Sequence, residues 1–260
     1  MKIPILKKYC FFFICLLTTA AFSSGCVALF ENKIDKMGPD ELIAEGKNLL
    51  KNKDYTRAEE AFRKFTEKYP NSKYMDTATM GMGDALFYHG EKYMEADLQY
   101  LNFIELYPVH PNVDRAYFYK GMCSYKQMEA YNRDQTNTMD AVKNFEVIVN
   151  EYPNSKYFKK AQEYVKECKT HLAQNLFYIG KYYFKIAAHQ STILRMTELI
   201  EKYPDFKSND EAFFLIGESY YSEENYEKAA KVFSDFIRKY PKSAFRAKAH
   251  KRLKYLKKDK

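Results

Sequence analysis

The stretch Asn209 to Pro241 reads NDEAFFLIGESYYSEENYEKAAKVFSDFIRKYP. Its apolar residues recur three and four apart, which is the period of an amphipathic helix and not of a strand. The pattern breaks at Glu223-Glu224-Asn225, so the segment predicts two antiparallel helices joined by a short turn. It closes on Tyr240-Pro241. Proline lacks the N–H that a helix needs and disfavours helical backbone in the residue before it, so the pair marks a helix end.

That punctuation recurs along the chain, at Tyr69-Pro70, Tyr107-Pro108, Tyr152-Pro153, Tyr203-Pro204 and Tyr240-Pro241. The spacings are 38, 45, 51 and 37 residues, and the pairs use five of the eight prolines. Each unit resembles a tetratricopeptide repeat, a helix-turn-helix of about 34 residues. With the proline at repeat position 32, Gly217, Tyr220, Ala229 and Phe233 occupy positions 8, 11, 20 and 24. The first unit matches with Gly46, Ala58, Phe62 and Pro70. The second has Ala96, Tyr100 and Pro108, but Asp84 where glycine is usual. Small residues at 8 and 20 let the two helices approach, and large ones at 11 and 24 fill the space beside them. No such unit buries its apolar face alone, so several must stack.

Two units depart from the pattern. The third keeps Ala141, Phe145 and Pro153 but carries about eight extra residues in EAYNRDQTNTMD, Glu129 to Asp140. The fourth keeps Gly180, Tyr183 and Pro204 but has Thr192 and Met196 at positions 20 and 24, which predicts looser packing there. Between them, Lys156 to Ala188 contains no proline and one glycine, and reads as one long helix shared by both repeats, the alternative being a break near Lys169 to Ala173. After Pro241, the stripe Phe245, Ala249, Leu253 and Leu256 predicts a capping helix with a cationic outer face. The expected fold is all-α, a helical-repeat solenoid of five tetratricopeptide-like repeats with a C-terminal capping helix.

The N-terminus is of another kind. Lys2, Lys7 and Lys8 precede an uncharged apolar run from Cys10 to Phe22, too short for the ~20 residues that span a bilayer. Ser23, Ser24 and Gly25 lead into Cys26, so residues 1–25 read as a secretory signal. The ending resembles a bacterial lipoprotein box, with Ser23 where leucine is usual. The resemblance implies cleavage before Cys26, lipid on that cysteine and, with Val27 next, an outer-membrane destination. The domains expected are the signal at 1–25, a lipidated linker at 26–39, repeats one to three at 40–155, and the long helix, repeats four and five and the basic cap at 156–260. Only Cys123 and Cys168 then remain, which makes no disulfide framework.

The net charge of +8 is unevenly spread. Residues 1–25 carry +3 and residues 242–260 carry +8, leaving −3 on the body between. An acidic-leaning body argues against a nucleic-acid groove along it. The composition, 46% hydrophobic and 29% charged, is that of a globular chain. Catalytic signatures are missing from the sequence. The five histidines form no His-Glu-x-x-His, there is no Cys-x-x-Cys, and Gly81-Met82-Gly83 has no third glycine. Neither an enzyme nor a bound cofactor or metal is expected. A repeat solenoid offers instead a surface lined by its first helices. In the second and third repeats, positions 2, 5, 9 and 12 are Ala78, Gly81, Ala85 and Tyr88, then Arg115, Phe118, Met122 and Tyr125. Of these, Tyr88, Arg115, Phe118, Met122 and Tyr125 are the expected wall of a peptide or partner groove.

Three segments narrow the family: YPVHPNVDRAYFYKGMCSY, YNRDQTNTMDAVKNFEVIVNEYPNSKY and LFYIGKYYFKIAAHQSTILRMTELIEKYPDF. Together they resemble the BamD family, lipoproteins of the outer-membrane β-barrel assembly machinery. The insertion around Asn132-Arg133-Asp134-Gln135-Thr136 is the most specific part. The resemblance implies a non-enzymatic scaffold on the periplasmic face of the outer membrane, held by lipid on Cys26. It implies as partners the barrel-forming subunit with its periplasmic domains, and unfolded outer-membrane protein substrates. Two other classes stay open, an assembly lipoprotein of a pilus or secretion system and a scaffold that recruits peptidoglycan enzymes. Regular repeat spacing would favour the former, and a coiled coil ahead of the repeats the latter.

Overall fold

Every Tyr-Pro pair ends a helix. In the computed structural model, Tyr69, Tyr107, Tyr152, Tyr203 and Tyr240 are C-cap residues with φ of −128°, −131°, −125°, −131° and −123°. With ψ between 52° and 67° these residues have left the helical region, which a following proline disfavours. Residue 30 and residues 33–258 are described; the signal segment and Cys26 lie outside them.

The described residues form helices and no strands. The helices are α1 (Pro39–Lys51), α2 (Tyr55–Lys68), α3 (Met75–His89), α4 (Tyr93–Leu106), α5 (Val113–Lys126) and α6 (Thr136–Glu151). They continue as α7 (Phe158–Lys185), α8 (His189–Lys202), α9 (Asn209–Ser222), α10 (Tyr226–Lys239) and α11 (Arg246–Lys258). The chain divides into two compact units between Ala116 and Tyr117, inside α5. The residue 155/156 boundary lies between α6 and α7, which pack against each other.

In the first unit, α1 pairs with α2 and α3 with α4, and α2 packs on α3. Phe62 is fully buried because glycines flank its ring on both sides. A Cβ on Gly46, in the same hairpin, would come within 2.7 Å of the ring, and one on Gly81, in the next hairpin, would overlap it. Phe62 thus joins two repeats, and its burial is worth about 2–3 kcal/mol. Leu42, Ala58, Phe65 and Ala78 complete this core.

The second unit uses the same device. A Cβ on Gly121 would come within 2.8 Å of Phe145, and one on Gly217 within 2.6 Å of Phe233. In the fourth repeat Met196 replaces the ring. It is fully buried, and a Cβ on Gly180 would stand 2.6 Å from its Cε. The looser packing expected there is therefore absent. A flexible thioether fills the gap, and buried Thr192 satisfies its hydroxyl on Ala188 O at 3.2 Å.

Helix α7 runs unbroken for 28 residues, about 42 Å. Its first half serves the third repeat, with Tyr164 stacked on Phe145 at 5.0 Å. Its second half carries Gly180 and serves the fourth. The insertion before α6 is tied to it by two side chains. His171 Nδ1 lies 2.9 Å from Gln135 Oε1, and Asn175 Nδ2 donates to Tyr131 O at 2.6 Å. Gln135 in turn donates to Ala130 O and Arg133 O, closing the loop on itself.

Candidate partner-binding cavities

The first unit encloses a cavity of about 330 Å³ beside α3. Thr77 and Gly81 of α3 and the Phe62 ring are part of its lining. Lys47 and Leu50 reach it from α1, Asp76, Met80 and Asp84 from α3, and His110, Asn112 and Arg115 from the start of the third repeat.

Its polar wall is built on a departure from the repeat pattern. Asp84 is 6% exposed at the position where the other hairpins carry glycine. Tyr100, opposite it, is fully buried and its hydroxyl donates to Asp84 Oδ1 at 3.0 Å. Arg115 donates to Oδ2 at 2.6 Å. The other hairpins place Phe or Met opposite a glycine; this one places a phenol opposite a carboxylate, and Gly83 alongside gives the ring its room. Burial pushes the Asp84 carboxyl above its usual range, while Arg115 and the Tyr100 hydroxyl pull it down.

A second polar pair stands across the cavity. His110 Nδ1 accepts the Asn112 backbone N–H at 3.1 Å, so the ring proton sits on Nε2, 3.1 Å from Asp76 Oδ2. The ring meets Phe103 edge-on at 5.1 Å, which fixes its plane. Lys47 makes no ion pair among the described residues. The wall therefore offers one uncompensated cation, ordered amide and imidazole groups, and apolar surface from Leu50, Met80 and Phe103. That set suits an extended segment with a carboxylate and an apolar side chain. It contains no nucleophile paired with a base.

The expected groove residues fare unequally. Arg115 lines the cavity, but bound to Asp84. Tyr88 is 44% exposed and stacks on Tyr55 at 5.8 Å, outside the cavity. Phe118 is 6% exposed, sandwiched on Tyr157 at 4.5 Å and against Phe145, and Met122 is buried as well. These two are core and not groove, because α7 covers the face they present. Tyr125 is half-buried and donates to Glu167 at 2.7 Å, a bond that raises its phenol pKa. Tyr183 and Tyr220, read as buried filler, are half-buried. Lys47, Leu50, Asp76 and His110 were missed. The first two sit at positions 9 and 12 of the first repeat, so extending the register one repeat toward the N-terminus finds them.

The second unit has its own cleft of about 600 Å³, floored by Val149, Val165, Ala173 and Phe206. Lys166, Lys169, Lys202 and Lys207 stand around it, with Lys169 paired to Glu146 and Lys202 to Glu198.

Residues 35–224 match the family described as YfiO, outer membrane lipoprotein, and residues 211–243 match a tetratricopeptide repeat. Similar curated proteins include three named outer membrane protein assembly factor BamD. That of Rickettsia prowazekii is 29% identical over 214 residues, covering 82% of this chain and 84% of its own. That of Caulobacter vibrioides is 28% identical over 204 residues, covering 77% and 67%. That of Haemophilus influenzae is 26% identical over 215 residues, covering 79% and 81%.

Proposed function

This chain belongs to the YfiO family of outer membrane lipoproteins, and from that premise we propose that it is a non-enzymatic component of the complex that assembles outer-membrane proteins. The supporting observation is the match across residues 35–224, which spans both compact units, together with relatives named as assembly factors. The stapled insertion at Gln135 falls within that match and is foreign to a plain repeat array.

In this reading Cys26 carries the lipid and the repeats face the periplasm. The barrel-forming subunit, through its periplasmic domains, and unfolded outer-membrane proteins are the partners. The first-unit cavity receives an extended segment of the substrate, its carboxylate drawn to Lys47 and its apolar side chain to Leu50, Met80 and Phe103.

Crosslinking in intact envelope followed by pull-down of the lipidated chain tests the assignment. Recovery of barrel-assembly subunits is expected; recovery of pilus or cell-wall proteins in their place would overturn it. For the anchor, Cys26→Ser should release the chain from the membrane fraction, and unchanged fractionation would sink that part alone. For the cavity, Lys47→Glu should weaken substrate crosslinks made in the first unit while leaving subunit recovery intact.

A further inference from the structure

The capping helix α11 holds Arg246, Lys248, Lys251, Arg252, Lys254, Lys257 and Lys258 within thirteen residues, and its first turn has no acidic residue. Its packing uses the other side. Ala249 is fully buried and Leu256 nearly so, and both join the core with Phe233 and Phe236. Arg252 is spent on structure: it grips Glu218 with two bonds of 2.8 Å and lies over the Tyr221 ring at 4.4 Å. By contrast, Lys242, Arg246, Lys248, Lys251 and Lys254 are exposed and make no ion pair among the described residues.

Helix capping does not explain this set. Cations favour the C-terminal end of a helix dipole, but Arg246 and Lys248 occupy the N-terminal turn, where they oppose it. Lys248, Lys251 and Lys254 stand three apart, a like-charge arrangement that weakens a helix. Local helix stability is thus given up for a continuous cationic face, a conflict expected where a surface has work to do.

We infer that the outer face of α11 is an electrostatic docking surface for the anionic phospholipid headgroups of a bilayer. Two observations select lipid over an acidic protein. The face is lysine-rich and nearly devoid of exposed apolar side chains, with only Tyr255 half exposed, whereas the centres of protein interfaces are depleted in lysine and rich in aromatic anchors. The chain is also an outer membrane lipoprotein by family, so a phospholipid surface is within its reach. Each lysine or arginine close to an anionic bilayer surface adds about 1 kcal/mol of attraction, so a continuous cationic face of this size binds such a surface without an apolar anchor of its own. No helix among the described residues is long and apolar enough to cross a membrane, so α11 would meet the bilayer from its surface.

The test is co-sedimentation of the mature Cys26→Ser chain, which lacks the acyl anchor. Vesicles of phosphatidylethanolamine with phosphatidylglycerol are compared with vesicles in which phosphatidylcholine replaces the anionic lipid. Binding to the anionic vesicles is expected, falling as salt rises. Each cation removed should weaken it about fivefold. The triple variant Lys248→Glu/Lys251→Glu/Lys254→Glu should therefore lose it almost wholly. The matched reversal Lys156→Glu/Lys159→Glu/Lys160→Glu, on exposed residues near the start of α7, should not. Should the glutamate variant fail to fold, the glutamine triple serves, with helicity as its control. Equal binding to both vesicles, or equal loss from both triples, would overturn the inference. So would unchanged vesicle binding by the α11 variant alongside loss of an envelope protein from its pull-down, which would make the face a protein interface. Each result is independent of whether assembly subunits co-purify with the unmodified chain.

Discussion

The Tyr100 hydroxyl donates to Asp84 Oδ1 at 3.0 Å, across a hairpin whose counterparts join a glycine to a phenylalanine or methionine. The two substitutions make sense only together, since the buried carboxylate needs the donor that phenylalanine lacks. Tyr100→Phe should therefore destabilise the chain by about 1–2 kcal/mol. In an Asp84→Gly background the same change should cost much less, because the group it leaves unsatisfied is gone. Urea unfolding of the four-member cycle measures the coupling, and additive effects would show the two residues to be independent.

Phe62 is enclosed by Gly46 of its own hairpin and Gly81 of the next. Gly81→Ala should lower stability by about 1–3 kcal/mol, since the added methyl must displace a fully buried ring. Phe62→Leu should recover part of that loss in the Gly81→Ala chain. Gly38→Ala is the control, because a Cβ there meets nothing within 4 Å. Circular dichroism melts of the four chains decide the matter.

Cys123 and Cys168 are both buried. Burial pushes the Cys168 thiol up to about 12, and the neighbouring Glu167 adds to the shift. Since the thiolate is the reactive species, the folded Cys26→Ser chain should resist alkylation at neutral pH and react at both cysteines once denatured. Mass spectrometry after timed iodoacetamide exposure counts the adducts; prompt native labelling of Cys168 would contradict the packing of α7.

Glu198 is held below its ordinary range, first by the hydrogen bond from Lys202 and also by Arg195. A folded-state value below the unfolded one adds stability above the unfolded pKa, near 4.3, and loses it as pH falls through the folded value. Lys202 is exposed and Arg195 only half-buried, so solvent screening keeps the gain under about 1 kcal/mol. The stability gap between the unaltered chain and Glu198→Gln should be small at neutral pH and close as the pH drops below 4. A gap that widens on acidification would reverse the sign assigned here.

Much of the architecture was legible because it is periodic. Five Tyr-Pro stops, the glycine and aromatic positions and the unbroken run into α7 each rest on local backbone chemistry, and each has its counterpart in the folded chain. The groove was harder to read. Phe118 and Met122 occupy the same register as Arg115, yet two of the three are sealed by α7. Nothing in their spacing distinguishes a residue that faces a neighbouring helix from one that faces solvent.

The sequence by itself determined the helices, their ends, the repeat count and the cationic cap, since these follow from φ restrictions, side-chain size and charge within a few residues. Only the tertiary structure decided that Asp84, Tyr100 and Arg115 meet, that Met196 fills its gap, and that Gln135 holds the insertion against His171. Those contacts join residues that are 16 to 36 apart in the chain. Their partners are chosen by which hairpin faces stack and by which buried polar groups must be satisfied once water has been excluded.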